Sequence, residues 1–288
     1  MLYPRLLDAV EYVKSKGLKL IVTTNGSLLT GDTINSLIKL KLDKLSISIE
    51  HANEKEHAAR RSGLEFKEYY QRILDAARII NHSSAHPTIL LAMMNTSSKK
   101  FFNVDKKIEL IETSTGFRTK LTSLICDLCS TIGRNISRES IVRSLAKIKH
   151  NQPRSVLIDK QIRVYIQMFM DWGNAFTTNS VAPAKIGYCG YALNNVGVLS
   201  NGSVNICCAD YDGKTNLGNL KKNSLLSLLL SQKAEAVRKG FDKFRVIHPY
   251  CRRCLGSSNK IKAIMKGLLS IYLFKTDSHP FKAKTVEI

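Results

Sequence analysis

The sequence lacks the features that would mark a membrane, secreted or repetitive protein. No uninterrupted apolar run reaches the roughly 18 to 20 residues of a membrane span, and the longest candidate, AIMKGLLSIYLF, is interrupted by Lys266 and Gly267. The first residues, MLYPRLLDAVEYVKSKG, contain acidic side chains and periodic apolar positions, unlike a signal peptide. There is no internal repeat and no low-complexity tract. We therefore expect a soluble, cytoplasmic protein whose cysteines stay reduced.

Acidic residues are scarce relative to basic ones. The chain has 23 Asp and Glu residues against 44 Lys and Arg residues, and its formal net charge is +21. Such a charge attracts nucleic acid, phosphorylated substrates or membrane surfaces. The lysines are scattered, however, and no helix-turn-helix or RNA-binding signature occurs. A solvated basic surface is therefore favoured over a nucleic-acid interface.

Helices and strands are predicted to alternate in the first third of the chain. The apolar spacing predicts helices over 5–16, 32–40 and 66–81, and strands at LKLIVTTN, over 43–50 and over 87–95. Near-continuous apolar strands between helices are typical of a parallel α/β sheet or barrel. Chemistry in such folds lies at the carboxyl ends of the strands. Those ends are Thr24-Asn25-Gly26, Ser48-Ile49-Glu50 and Asn95.

The middle of the chain has a weaker pattern. Ser137 is a plausible helix cap before an apolar stripe that includes Ile141, and residues 161–172 have the composition of a long strand. Asp171 and Trp172 come at the end of that strand, where they would contact a substrate or pack at a domain junction. The change to Asn, Gly and Ser after Trp172 predicts a domain boundary near 173–185.

Five of the seven cysteines lie between residues 189 and 254. Asn201-Gly202 is a strong hairpin signal between VGVLS and SVNICC. Cys207 and Cys208 are then expected on one strand with their side chains on opposite faces, so that only one of them joins a shared site.

Two further elements suit a metal site. Cys251 and Cys254 form a Cys-x-x-Cys pair, whose thiolates can bind the same centre, and Cys189 precedes the hairpin. Structural zinc and an iron–sulfur cluster both accept four thiolates. The arginines at 252 and 253 would offset the negative charge of such a centre. Free cysteines can instead be small buried hydrophobic residues. We favour that alternative for the second Cys-x-x-Cys pair, Cys126 and Cys129, which lies in an apolar helical run.

These segments resemble the radical S-adenosylmethionine (radical SAM) enzymes that carry a C-terminal SPASM or twitch domain, and the resemblance extends over nearly the whole chain. LLDAVEYVKSKGLKLIVTTNGSLLT is similar to the family's third strand, with its Thr-Asn-Gly ending. The segment from LDKLSISIE is similar to the fourth strand, with Ser48-Ile49-Glu50 in place of Ser-x-Asp. CGYALNNVGVLSNGSVNICCADYDGKTNLGNL resembles the opening of a SPASM domain.

The resemblance implies a fold and a ligand set. The fold is an α/β, incomplete (β/α)6 radical SAM partial TIM barrel over 1–175, followed by a small β-hairpin and helix SPASM/twitch domain over 176–260 and a basic tail over 261–288. Lys260 stands where a further cysteine is expected, which indicates the shorter twitch form. Its one auxiliary [4Fe–4S] cluster would be bound by Cys189, Cys207, Cys251 and Cys254. The cysteine spacing is similar to that of 2-deoxy-scyllo-inosamine dehydrogenases.

The resemblance also implies a pocket for S-adenosylmethionine. Thr24, Asn25, Ser48, Glu50 and Arg61 would line it. Ser48 and Glu50 suit the ribose hydroxyls, and Arg61 suits the carboxylate. From the residues alone, Thr24 and Asn25 belong to a simple turn and Arg61 is an exposed cation.

Two motifs of the family are absent from the sequence. These are Cys-x-x-x-Cys-x-x-Cys, which binds the core [4Fe–4S] cluster, and Gly-Gly-Glu-Pro, which contacts S-adenosylmethionine. The resemblance therefore predicts that Met1 corresponds to the end of the family's second strand and that this chain is inactive alone. It also predicts an unpaired sheet edge at LKLIVTTN, which favours aggregation.

The function implied is that of a radical SAM oxidoreductase or maturase whose auxiliary cluster relays electrons. The electron donor would be flavodoxin or ferredoxin, and the substrate a peptide, sugar or aminocyclitol. Asp210 is a weak candidate for an acid or base and equally suits a turn. The alternative is a non-catalytic iron–sulfur or zinc-binding accessory protein with a basic partner-binding surface.

Overall fold

The computed structural model describes residues 3–49, 65–83, 87–95, 114–146, 154–168, 174, 180–275 and 284–288. Contacts between Cα atoms divide the chain into two compact units, with a boundary between Met168 and Phe169. The described residues up to Met168 and the C-terminal strand form the first unit, and those from 174 to 275 belong to the second. No helix in the described ranges is long and apolar enough to cross a bilayer.

The first unit combines one mixed sheet with helices. Its helices are α1 (Leu6–Ser15), α2 (Gly31–Lys39), α3 (Phe66–Asn81), α4 (Ser114–Thr131) and α5 (Arg138–Ala146). Its strands are β1 (Ile21–Thr24), β2 (Lys44–Ile49), β3 (Thr88–Asn95), β4 (Arg154–Asp159), β5 (Ile162–Met168) and β9 (Lys284–Glu287). The strand order is β1-β2-β3-β5-β4-β9.

The parallel part of the sheet runs through β1, β2, β3 and β5. In β2 the side chains of Leu45, Ile47 and Ile49 are at most 1% exposed, whereas the alternate positions are more accessible. Ile73 and Ile80 of α3 belong to the same buried cluster. The apolar residues of the strand and of the helix thus pack in one core. The prediction of an α/β fold with parallel strands is confirmed.

Two parts of this sheet differ from the sequence prediction. Residues 161–172 are predicted as one long strand, and their described part does form strand β5. Sequence patterns do not predict β4, which pairs with β5 as an antiparallel hairpin. Residues 261–288 are predicted to be a basic tail, but their described part contributes most of a helix of the second unit and strand β9, which pairs in parallel with β4. Backbone hydrogen bonding to a distant edge strand decides the position of β9, and local composition does not reveal it.

Strand β1 forms one edge of the described sheet, as expected for LKLIVTTN. The side chain of Ile21 is 53% exposed there. After β1 the chain turns at Gly26, whose φ is +82°. A Cβ atom at Gly26 would lie 3.1 Å from Cγ2 of Ile47, so close packing and backbone conformation both favour glycine.

The second unit contains a small sheet and short helices. Its helices are α6 (Gly190–Asn194), α7 (Leu225–Leu229), α8 (Gln232–Asp242), α9 (Pro249–Cys254) and α10 (Lys260–Lys275). Strands β6 (Gly197–Val198), β7 (Ser203–Asn205) and β8 (Asn216–Asn219) form an antiparallel sheet in that order.

Candidate metal centre

The hairpin of β6 and β7 forms as the Asn201-Gly202 signal predicts. Gly202 has a φ of +87°, and the Ser203 N–H donates to Oδ1 of Asn201 at 2.9 Å. Leu199 N–H donates to the Ser203 carbonyl at 2.9 Å, which closes the hairpin. The pairing of β6 with β7 therefore fixes the position from which the chain continues to Cys207 and Cys208.

Cys207 and Cys208 follow strand β7 and do not lie on it. The strand ends at Asn205, and Asp210 N–H donates to the Cys207 carbonyl at 3.2 Å, so the pair occupies a turn. The prediction of opposite strand faces is therefore wrong, because a turn lets neighbouring side chains meet. Cys207 is half-buried and its Sγ accepts from Ala209 N–H at 3.3 Å, whereas Cys208 is exposed.

The two adjacent thiols affect each other's acidity. A hydrogen bond with Cys208, together with burial, raises the pKa of Cys207. The same hydrogen bond lowers the pKa of Cys208 to about 6.

Helix α9 presents the Cys-x-x-Cys pair. It begins after His248, whose ring nitrogen accepts from Tyr250 N–H at 3.2 Å, and Pro249 occupies its first turn. Cys251 is buried and Cys254 is half-buried. Burial, followed by the charges of neighbouring groups that include Cys189 and Cys254, raises the pKa of Cys251 to about 12.

Cys189 lies at the start of α6. Burial raises the pKa of its thiol, while the backbone N–H groups of Ala192 and Tyr191 act in the opposite direction. The charge of Cys189 also raises the pKa of Cys207 and of Cys251. Among the described residues, no group of three or more His, Cys, Asp or Glu side chains is arranged to hold a metal ion.

An apolar cluster surrounds part of this region. Phe241, Val246 and Cys251 are buried in it, and Cys189 packs against its edge. Tyr250 connects α9 to the cysteine turn, because its hydroxyl donates to the Ala209 carbonyl at 3.3 Å. Apolar surroundings and fixed outer contacts are the features that orient ligands and tune a metal centre.

The two arginines of the Cys-x-x-Cys segment hydrogen-bond to backbone groups outside it. Nε of Arg252 donates to the Val246 carbonyl at 2.8 Å. Arg253 donates to the Asn174 carbonyl at 3.2 Å. Lys266 of α10, which sequence reasoning did not select, donates through Nζ to the Cys254 carbonyl at 2.9 Å.

Asp210 organises the loop after the cysteine pair. Its side chain is 1% exposed and accepts from Lys214 N–H at 3.0 Å and from Thr215 N–H and Oγ1, both at 2.6 Å. The amide of Asn205 donates to the Asp210 carbonyl at 2.9 Å. These contacts give Asp210 the turn role that was the alternative to acid–base chemistry, and a catalytic role stays a prediction.

The predicted pocket for S-adenosylmethionine is described only in part, since Glu50 and Arg61 lie outside the described residues. Asp171 and Trp172, predicted to contact a substrate or to pack at a domain junction, also lie outside them. Oγ1 of Thr24 accepts from Gly26 N–H at 3.1 Å, and Oδ1 of Asn25 accepts from Ser27 N–H at 3.2 Å and from Ser27 Oγ at 2.9 Å. Thr24 pairs with Ile47, so it lies on the opposite sheet face from Ser48. The structure thus places Thr24 and Asn25 in a hydrogen-bonded turn.

The second Cys-x-x-Cys pair is part of the first unit's core. Cys129 of α4 is 2% exposed, and Cys126 packs against the same apolar cluster. Burial raises the pKa of Cys129. The prediction that these cysteines act as small hydrophobic residues is confirmed.

Comparisons with known proteins extend these observations. Residues 189–255 match the model of the SPASM family, described as an iron-sulfur cluster-binding domain. A comparison with curated proteins finds no match.

Solved structures give distant likenesses. SuiB of Streptococcus suis, bound to S-adenosylmethionine, is 12% identical with a TM-score of 0.48, over 82% of this chain and 54% of that one. The protein anSMEcpe, with bound AdoMet and a peptide, is 14% identical with a TM-score of 0.43, over 96% and 82% of the two chains. This chain thus spans about half of the SuiB chain. At these scores the likeness determines neither fold nor function. The family match is confined to residues 189–255, which are similar to the iron-sulfur cluster-binding SPASM domain and include the segment on which the SPASM resemblance was based.

Proposed function

We propose that the chain belongs to a radical SAM oxidoreductase or maturase and that Cys189, Cys207, Cys251 and Cys254 bind its auxiliary [4Fe–4S] cluster. The observation that carries the proposal is the match of residues 189–255, which contain all four cysteines, to the model of an iron-sulfur cluster-binding domain. Thiolates are the usual ligands of such clusters. The donor set therefore fits the group.

Each segment that carries a proposed ligand is positioned by a different element or set of contacts. Cys189 starts α6, Cys207 sits in the turn that Asp210 and Tyr250 hold, and Cys251 and Cys254 lie on one short helix. A bound cluster would supply one-electron transfer. The residues of this chain contribute fixed ligand positions and an apolar surrounding that limits access of water.

The remaining parts of the proposal follow the resemblance to the family. Thr24, Asn25, Ser48, Glu50 and Arg61 would contact S-adenosylmethionine, and flavodoxin or ferredoxin would deliver electrons. The given sequence has no Cys-x-x-x-Cys-x-x-Cys motif. We therefore propose that this chain alone binds the auxiliary cluster without cleaving S-adenosylmethionine.

The test is anaerobic purification of the full chain, reconstitution with iron and sulfide, and analysis of iron, sulfide and zinc. The wild-type chain should hold about four irons and four sulfides. Substitution of Cys207 by Ser should lower both, while Cys208→Ser, one residue away, should leave them unchanged. One zinc without iron would contradict the cluster, and cluster loss in the Cys208 variant alone would overturn the ligand assignment.

A further inference from the structure

Helix α10 contacts the two chain segments that carry Cys189 and Cys254, the first and last cysteines of the proposed ligand set. Nζ of Lys266 donates to the carbonyls of Cys254 at 2.9 Å and Gly256 at 3.1 Å. One turn further along, Oγ of Ser270 accepts from Tyr188 N–H, next to Cys189, at 2.9 Å. The same helix face therefore holds the end of the Cys-x-x-Cys segment and the residue before the first cysteine.

Close packing brings this helix face to the backbone. Gly267 lies between the two polar contacts, and a Cβ atom there would collide with the Ile186 carbonyl oxygen. Gly267 and Ala263 are buried, while Lys266 and Ser270 are half-buried. The helix is thus fixed against residues 186–188, and the Lys266 ammonium is presented to the neighbouring carbonyls from a defined position.

A cation has a specific electrostatic use at the end of α9. The last carbonyls of a helix carry partial negative charge and have no partner within the helix. Cys254 is the last residue of α9, so a negatively charged centre on its sulfur would lie beside this negative helix end. Lys266 hydrogen-bonds to that carbonyl and offsets its charge, whereas the side chains of Arg252 and Arg253 hydrogen-bond to Val246 and Asn174.

We propose that Lys266 is a positioning residue of the auxiliary centre: it holds the Cys254 segment on α10 and, through its positive charge, makes the bound cluster easier to reduce. This inference rests on the proposed function, because it requires a cluster at these cysteines. Net charge and hydrogen bonding near a cluster set its reduction potential. Reduction adds negative charge, and a nearby ammonium group stabilises the reduced state more than the oxidised state.

Three variants of Lys266 separate charge from hydrogen bonding. Lys266→Arg keeps the charge and can donate to both carbonyls. Lys266→Gln keeps a donor without the charge. Lys266→Met removes both at similar length. Lys260→Met removes one positive charge from an exposed position of the same helix and is the matched control.

The measurements are the midpoint potential by redox titration with electron paramagnetic resonance, and the rate of iron release to a chelator, on the reconstituted full chain. Lys266→Met and Lys266→Gln should shift the midpoint to more negative values, whereas Lys266→Arg and Lys260→Met should match wild type. Outer contacts of metal ligands typically contribute about 10- to 100-fold to metal retention. We expect iron release in Lys266→Met to accelerate by a factor in that range, and less in Lys266→Gln.

The outcomes distinguish this inference from the proposed function. A wild-type chain without iron would overturn the proposed function itself. A wild-type chain with a cluster, and a Lys266→Met variant with unchanged midpoint and iron release, would overturn only the role of Lys266. If Lys266→Met does not fold, the Arg and Gln variants decide: a more negative midpoint in Gln alone supports the role, and equal midpoints overturn it.

Discussion

Substitution of Gly267 by Ala should destabilise the attachment of α10 although it favours the helix itself. In an exposed helix interior, Ala is about 0.8 to 1.0 kcal/mol more favourable than Gly. At Gly267, however, the new Cβ would lie 3.1 Å from the Ile186 carbonyl carbon and well inside contact distance of its oxygen. Relief requires a backbone shift, because neither atom belongs to a flexible side chain.

The expected magnitude follows from these two opposing effects. Overpacking costs about 1 to 3 kcal/mol, and a clash with fixed backbone belongs at the upper end. Subtraction of about 1 kcal/mol of helix propensity leaves a net destabilisation of about 2 kcal/mol. Since 1.4 kcal/mol is tenfold in an equilibrium constant, local opening should become roughly 30 times more frequent.

Native-state hydrogen exchange can measure this opening directly. The reporter is the backbone amide of Tyr188, whose N–H donates to Ser270 of α10. Ile264→Ala is the matched control, because Ile264 lies on the same helix with 51% exposure. A surface change of that kind stays within about 0.5 kcal/mol, or about twofold in exchange. Exchange at Tyr188 that is no faster in the Gly267 variant than in the control would refute the reasoning.

Three further variants test other parts of the structure. Asp210→Asn should lower the free energy of unfolding, measured in urea titrations, by about 1 to 3 kcal/mol. The reason is that the new amide NH2 group would face the N–H and O–H donors of Thr215. An unchanged free energy of unfolding would show that these hydrogen bonds are not made. Ile21→Lys at the exposed edge of β1 should reduce self-association in light scattering, and unchanged association would place the contact elsewhere. Cys126→Ala combined with Cys129→Ala should leave iron content unchanged, since both thiols lie in the core of the first unit; iron loss would make them ligands.

Sequence patterns predicted the helices and parallel strands of the first unit because their signals are local. The apolar spacing of α3 and the apolar alternation of β2 appear within a few residues and correspond to buried positions in the structure. Strand β9 has no such signal. Its four residues become a strand by pairing with β4, which lies more than a hundred residues earlier in the chain.

The candidate site also combines features that local sequence signals predict with features that depend on tertiary structure. Cysteine spacing and the Asn201-Gly202 hairpin signal predicted a metal site in the region that matches the SPASM model, because ligand and turn residues are recognisable within short segments of sequence. The orientation of Cys207 and Cys208 was not predictable in this way. It depends on where β7 ends, and that point is decided by pairing with β6 and β8 and by the hydrogen bonds that close the following turn.

By itself, the sequence determined which residues have ligand chemistry, where helices and parallel strands alternate in the first third of the chain, and that Lys266 and Gly267 interrupt the longest apolar run. Only the tertiary structure decided what those two residues do. Gly267 lets α10 approach the Ile186 backbone, and Lys266 then reaches the Cys254 carbonyl. A lysine in an apolar run shows only that the run is broken, because the partner of its charge depends on packing between segments distant in the chain.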